Sequence, residues 1–360
     1  MDTSAEALGP ISAVVCNYNG EHYLRACLSA LFASELALDE VIVVDNGSTD
    51  GSVALVRAEF PAARLLIRPD NGGPCVARNA GMRAARNRWV LAVDNDAMVQ
   101  PDMLGKLVAA VGTRDDVVAV QPRSVYADET ARIHYNGGSF HYVGLYSLRN
   151  FAAPLVEAEG SGVVDVDGLI AICILFDREA FEEVGGYDED FFILFEDLDL
   201  SMRLRIAGHS LVSVEDALVH HSGGTPGISF RGDEYPKFRA YYHSRNRWIL
   251  LYKNYAARTL LAALPGILLY ELVWGLFALR SGHILAHIGG KLDFLRVLGR
   301  LRPKRRAVQA MRRLGDRGLL VGGPVTFSPQ LVAKPASARM AACLDGCLQS
   351  LWRMTGWIAR

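Results

Sequence analysis

The chain has 360 residues, 51% hydrophobic and 21% charged, which excludes an intrinsically disordered protein and suits one large catalytic domain with an accessory segment. Its 38 Lys and Arg against 39 Asp and Glu leave a net charge of −1, so no global field argues for nucleic acid as a partner. The N-terminal segment MDTSAEALGP carries no leader pattern, and the cysteines are scattered with no C-x-x-C pair. Both features point to a cytoplasmic protein without a cysteine zinc site.

Residues 11–16 (ISAVVC) are apolar and largely β-branched and run into Asn17-Tyr18-Asn19, which predicts a buried strand ending in a loop. Leu24, Cys27, Leu28 and Leu31 then share one helical face. Val41–Val44 is a second strand, stopped by Asp45-Asn46-Gly47, and a helix over residues 51–59 follows. Ala63–Ile67 is a third strand, and Pro74 to Arg86 a helix. Trp89–Val93 is a fourth strand, ending in Asp94-Asn95-Asp96. This alternation predicts a mainly parallel sheet with helices on both faces. In such sheets ligands bind outside the carboxyl ends of the strands, so Asn17, Asp45 and Asp94 to Asp96 should meet along one edge.

Residues 115–175 are β-rich and punctuated by glycine. A helix over 177–184, the acidic segment Gly185 to Phe192 and an amphipathic helix from Glu196 to Ala207 follow, the last closed by Gly208. A short strand Ala217–Val219 leads into His220-His221.

Asp94-x-Asp96 after a buried strand has the form of a site for a hard divalent cation and substrate phosphates, though two solvated acids in a turn would read the same way. Asp45 ends a strand where a carboxylate can accept from a base N–H or a ribose hydroxyl, while Asn46 to Asp50 supply turn and cap. Glu196 and Asp197 sit in a first helical turn, where the helix dipole favours the anion, so Asp197 is expected to be ionised at neutral pH. Asp199 and Arg203, four apart, read as a surface ion pair. Neighbours in a strand face opposite ways, so only one of His220 and His221 should reach a site.

The segments VVCNYNG, VVDNGSTDGS, DNGGPCVARNAG, LAVDNDA, GGYDEDFFILFEDLDLSMRLRIAGH and ALVHHSGG occur in that order over residues 11–225. Together they resemble the family 2 glycosyltransferases, in particular the bacterial rhamnosyltransferase-like branch. The resemblance implies a GT-A fold, a Rossmann-like mixed and mainly parallel sheet flanked by helices. It implies that Asp45 reads the donor's pyrimidine base, that Asn17 and Arg78 lie near the nucleotide, and that Asp94 faces the ribose or the metal. It makes Asp96 and His221 ligands of Mg2+ or Mn2+, and Asp197 the general base with Glu196 beside it. Asn95 stands where relatives often carry another acid. A metal-bound imidazole must be neutral, so activity should fall at acidic pH. Asp167 and Asp188 are the further candidates on the acceptor side. The implied reaction is inverting transfer of one sugar from a UDP- or dTDP-sugar to a hydroxyl of a glycan or lipid-linked acceptor. Processive synthases carry Q-x-x-R-W and several spans, and this chain has neither.

After the catalytic domain (residues 1–230), residues 231–335 form a helical, apolar and basic region and 336–360 an amphipathic helix. Leu260–Leu279 is long enough to cross a bilayer, but Pro265-Gly266 interrupts it and Glu271 sits near its middle. With Arg302, Lys304, Arg305 and Arg306 following, an interfacial helix on the inner face of the cell membrane is expected. A homo-oligomer interface is the alternative. Two other functions stay open: a sugar-phosphate nucleotidyltransferase, which would need a cation in the loop after the first strand, and a non-catalytic scaffold.

Overall fold

Apolar, β-branched runs place four parallel strands side by side at one end of the larger sheet. The structure is a computed structural model describing residues 8–222 and 235–359. The expected boundary at residue 230 and the glycines after Ser222 lie outside the described residues. The chain divides into two compact units, one of residues 1–137, 149–204 and 209–223, the other of 138–148, 205–208 and 224–360.

In the first unit, β1 (Ile11–Asn17), α1 (Glu21–Phe32), β2 (Glu40–Asp45), α2 (Ser52–Glu59), β3 (Arg64–Ile67), α3 (Pro74–Ala84) and β4 (Trp89–Asp94) alternate. Then come β5 (Ala97–Val99), α4 (Met103–Val111), β6 (Val117–Tyr126) and β7 (Ile133–Tyr135). The other unit contributes β8 (Gly138–His141) and β9 (Leu145–Leu148) before the chain returns with β10 (Val163–Val166), β11 (Cys173–Asp177), α5 (Arg178–Glu183), α6 (Glu196–Ile206) and β12 (Ser210–His221). The sheet order is β10-β12-β6-β11-β4-β1-β2-β3. β4, β1, β2 and β3 run parallel, while β11 and β10 are antiparallel to their neighbours. Ala13, Val15, Val43, Leu91 and Val93 pack with Leu24, Cys27, Leu28 and Leu31 of α1 in one buried core. Each valine or leucine among them contributes about 1.5–3 kcal/mol by leaving water.

Strand register is what builds the site. Asn17 pairs with Asp45, and Cys16 with Asp94, so three polar strand ends lie next to one another. The short strand expected at Ala217–Val219 is the end of the twelve-residue β12. There His221 pairs with Ala97 of β5, which brings it beside Asp96.

The second unit holds α7 (Lys237–Asn254), α8 (Ala257–Arg280), α9 (Ile284–Ala310), a helical turn at Asp316–Leu319, β13 (Leu320–Val321) and α10 (Pro335–Thr355). β13, β8 and β9 form a small sheet of their own. Contrary to expectation, Pro265-Gly266 does not interrupt α8, which is continuous. Proline removes one backbone hydrogen bond, to the carbonyl of Leu261 on the exposed side of the helix, where water can satisfy it. Gly266 lies on the opposite side, where a Cβ would fall 2.0 Å from the Tyr142 hydroxyl. In α10, Leu344 and Leu348 are buried and Cys347 is exposed.

Candidate active site

The site lies at the carboxyl ends of β1, β2 and β4. The Asn17 side-chain amide donates to Asp45 Oδ1 at 3.0 Å and to Ser48 Oγ at 3.2 Å, and the Ser48 N–H donates to Asp45 Oδ2 at 3.0 Å. Asp45 is buried, and each of its oxygens accepts one of these bonds with a second lone pair to spare. The middle residue of the D-x-D segment joins this chain of bonds: Asn95 donates to Asn17 Oδ1 at 2.7 Å. A carboxylate at position 95 could not donate there. The loop after β1 comes so close that a Cβ on Gly20 would lie 1.9 Å from the Asn95 amide nitrogen.

Asp94, Asp96 and His221 offer one donor atom each, all within 4.8 Å of one another. Two carboxylates and an imidazole fit a hard divalent ion, whose bonds of about 2.1 Å could draw them together. His221 Nε2 lies 3.2 Å from Asp96 Oδ1, and its Nδ1 is 2.8 Å from Nδ1 of His134 on β7. The His134 ring stacks on Tyr126 at 4.3 Å. A neutral imidazole that presents Nε2 to a cation carries its proton on Nδ1, so His134 Nδ1 is then the acceptor.

Arg78 of α3 is the hub of the acidic side. Its Nη2 donates to Asp94 Oδ1 at 2.7 Å and to the Ala171 carbonyl at 3.3 Å. Its Nη1 donates to Glu196 Oε1 at 3.5 Å and lies 3.8 Å from Asp197 Oδ1. The guanidinium also lies over the Tyr187 ring, 5.3 Å from its centre. Asn79, the next residue, clamps Tyr187 by donating to its carbonyl at 2.8 Å and accepting from its N–H at 2.9 Å. Asp197 Oδ2 accepts from the Ala171 N–H at 3.2 Å.

These surroundings change the ionisation expected for the first turn of α6. Burial dominates over the helix dipole and raises both acids. Glu196 is pushed up to about 8 by burial and by the charge of Asp197, with Arg78 opposing. Asp197 is raised by burial, and Arg78 and the Ala171 N–H pull it back. At neutral pH the pair therefore keeps a proton on Glu196, and Asp197 is the member that ionises first. Asp94 rises to about 6 through burial, against Arg78. With 27% of its side-chain surface open, solvent moderates that rise.

The backbone entering α6 is unusual as well. Phe192, Leu194 and Phe195 have φ of 62°, 70° and 72°. Left-handed conformations at such side chains cost about 1–3 kcal/mol each and persist where the surroundings impose them, typically at sites.

Residues 12–185 match the family model for glycosyl transferase family 2. Over 239 residues the chain is 30% identical to the N-acetylglucosaminyl-diphospho-decaprenol L-rhamnosyltransferase of Mycobacterium tuberculosis, an alignment covering 61% of this chain and 77% of that protein. The chain belongs to glycosyltransferase family 2. It is also 37% identical over 111 residues to a succinoglycan biosynthesis protein of Rhizobium meliloti, covering 31% of this chain and only 32% of that relative. Among solved structures, GalNAc-T7 with UDP, GalNAc and Mn2+ has a TM-score of 0.57 at 16% identity, over 73% of this chain and 52% of that one. TarS of S. aureus with UDP-GlcNAc has a TM-score of 0.51 at 15% identity, over 96% and 92%. These likenesses show the GT-A fold.

Within this family 2 catalytic unit, Asn17, Asp45, Asp94, Asp96 and His221 gather at the strand ends, and Arg78 links Asp94 to Glu196 and Asp197. Arg78, expected near the nucleotide, is buried and engaged by carboxylates. Asp167 is half-buried at the start of the loop that delivers Ala171 to Asp197 and Arg78. Asp188 caps the turn Glu189–Phe191 by accepting from the Asp190 N–H at 3.1 Å. Asp199 and Arg203 are not a surface pair: both are buried, with Arg203 Nε donating to Asp199 at 2.9 Å and Nη1 to the Val184 carbonyl at 2.6 Å. The periodicity of α6 does not distinguish a solvent face from one covered by the sheet. Sequence reasoning passed over His134, Asn79 and Tyr187. The only signal was adjacency to chosen residues, Asn79 after Arg78 and Tyr187 before Asp188.

Proposed function

We propose that this family 2 glycosyltransferase moves one sugar from a UDP- or dTDP-sugar to a hydroxyl of a glycan or lipid-linked acceptor, with inversion and with help from a divalent metal. The carrying observation is the joining of a three-ligand cluster, Asp94-Asp96-His221, to a buried pair of acids with unequal proton affinity through a single arginine. Asp45 and Asn17 hold the base, and Asp94, Asp96 and His221 would hold the ion. When bound, Mg2+ or Mn2+ supplies charge neutralisation for the departing diphosphate.

Asp197 takes the proton of the acceptor hydroxyl while that oxygen bonds to the anomeric carbon and the bond from that carbon to the diphosphate breaks. Glu196, holding its own proton, leaves Asp197 as the base. One base and, among the described residues, no nucleophile placed for a covalent intermediate support a single displacement, hence inversion. The rhamnosyl and polysaccharide chemistry in the relatives' names supports a lipid-linked or polysaccharide acceptor, and scattered, unbridged cysteines support a cytoplasmic setting at the inner face of the membrane.

Incubation with a panel of UDP- and dTDP-sugars in Mn2+ tests the reading. Sugar transfer or slow donor hydrolysis, abolished by chelation, is expected. Pyrophosphate release from sugar phosphate and nucleotide triphosphate would instead identify a nucleotidyltransferase. Turnover undiminished by chelation would overturn the metal's role.

A further inference from the structure

In α8 and α9 the two acids are paired with cations, while a row of leucines is exposed. Glu271 and Asp293 are the only acids in α8 and α9. Arg247 of α7, 1% exposed, bonds to Glu271 and donates to the Val143 carbonyl at 2.5 Å. Lys291 meets the other Glu271 oxygen, and Arg245 holds Asp293 at 2.6 Å. The buried residues of α8 are mostly small, Thr259, Ala262, Ala263, Gly266 and Ala278, with Ile267 and Tyr270 the larger ones.

The outward face reverses the pattern of a soluble helix. Leu261, Leu264, Leu268, Leu272, Leu276 and Leu279 are each 42–66% exposed. At 100° per residue they fall within an arc of about 120°, in a stripe about 27 Å long. α9 has an apolar face of its own, with exposed Leu285, Ile288, Leu292 and Leu295. Farther along the same face of α9 the exposed residues become Arg302 and Arg306, with Arg296 and Arg300 alongside. Arg280 closes α8 at the other end. Arg305, counted with this group from sequence, is turned inward and donates to the carbonyls of Tyr252 and Tyr255.

A monomer in water rarely exposes so continuous an apolar face, and polar groups gathered on the protein side are what lipid contact requires. No exposed acid lies on either helix to repel anionic headgroups. We propose that α8 and α9 lie flat in the interface of an anionic phospholipid bilayer, leucines in the acyl boundary and the terminal arginines on the phosphates. α8 is long enough to cross a bilayer, but the arginines at both ends of the apolar face favour lying in the plane.

The inference does not depend on the sugar-transfer chemistry, and its test uses none. The full chain is floated with phosphatidylcholine vesicles and with phosphatidylcholine–phosphatidylglycerol vesicles. Leu268→Gln/Leu272→Gln/Leu276→Gln should lower the partition coefficient at least about tenfold on both. Arg296→Gln/Arg300→Gln/Arg302→Gln/Arg306→Gln should lose the preference for anionic vesicles, about fivefold for each arginine. The single variant Leu272→Gln, with an unchanged melting temperature, guards against misfolding of the triple variant. Undiminished flotation of the leucine variants overturns the proposal. So does a parent chain that floats with neither vesicle; light scattering showing a dimer that the leucine variants dissociate would then assign the face to a second copy. Anionic preference surviving in the arginine variant overturns the headgroup contact.

Discussion

Replacing Asp197 by asparagine removes the proton acceptor while keeping shape and the contact with Ala171. The asparagine carbonyl can still accept the Ala171 N–H that Asp197 Oδ2 accepts at 3.2 Å. Arg78 keeps its 2.7 Å bond to Asp94 and its partner Glu196, so the hub loses one of three acids and should stay in place. A positioned base is worth about 10²–10⁴ in rate, or roughly 3–5.5 kcal/mol of barrier, and transfer should fall by that factor. Donor and metal binding should survive, because Asp45, Asp96 and His221 do not touch Asp197. A second consequence follows from the electrostatics. Asp197 is part of what raises Glu196, so its neutralisation should lower the Glu196 pKa. The assay is single-turnover transfer to any acceptor that gives measurable product, with donor affinity measured separately by titration in Mn2+. Near-parental transfer by Asp197→Asn together with a dead Glu196→Gln would show that the wrong carboxylate has been named. Parental rates in both variants would make the turn structural and move the base elsewhere.

Asp96→Ala should abolish metal-dependent donor binding, since a hard cation loses an oxygen ligand and His221 its 3.2 Å partner; Mn2+ titration followed by electron paramagnetic resonance reads this directly. His134→Phe should weaken Mn2+ binding about 10–100-fold while His134→Asn, whose carbonyl can accept at the Nδ1 position, restores it; equal affinities would remove His134 from the site. Glu196 holds its proton up to about 8 in the fold, against about 4.5 unfolded, so between those pH values the native state binds more protons and stability falls as pH rises. Melting temperatures from pH 5 to 8 should therefore decline less steeply in Glu196→Gln than in the parent, and parallel curves would contradict the raised value.

The apolar runs at 11–16, 41–44 and 89–93 were sufficient to announce β1, β2 and β4, because a strand buried on both faces admits little besides such residues. The rule that ligands sit at strand carboxyl ends then brought Asn17, Asp45 and Asp94 together across nearly eighty residues, and register confirms the placement. The sequence also carried the ordered family segments and the choice of His221 over His220. What it could not decide depends on distance through space. Arg78 meets Glu196 across 118 positions, and His134 meets His221 across 87. No local period encodes either contact. The raised proton affinity of Glu196 comes from burial and neighbouring charge, which the helix-dipole argument for an ionised Asp197 did not address. The same ignorance of neighbours made a buried Asp199–Arg203 pair look like a surface one and made Pro265 look like a break. Over residues 260–279 the sequence established a long apolar run with one acid, Glu271, near its middle. Only tertiary packing decided that the acid is the inside and the leucines the outside, because Arg247 and Lys291 arrive from other helices to meet it.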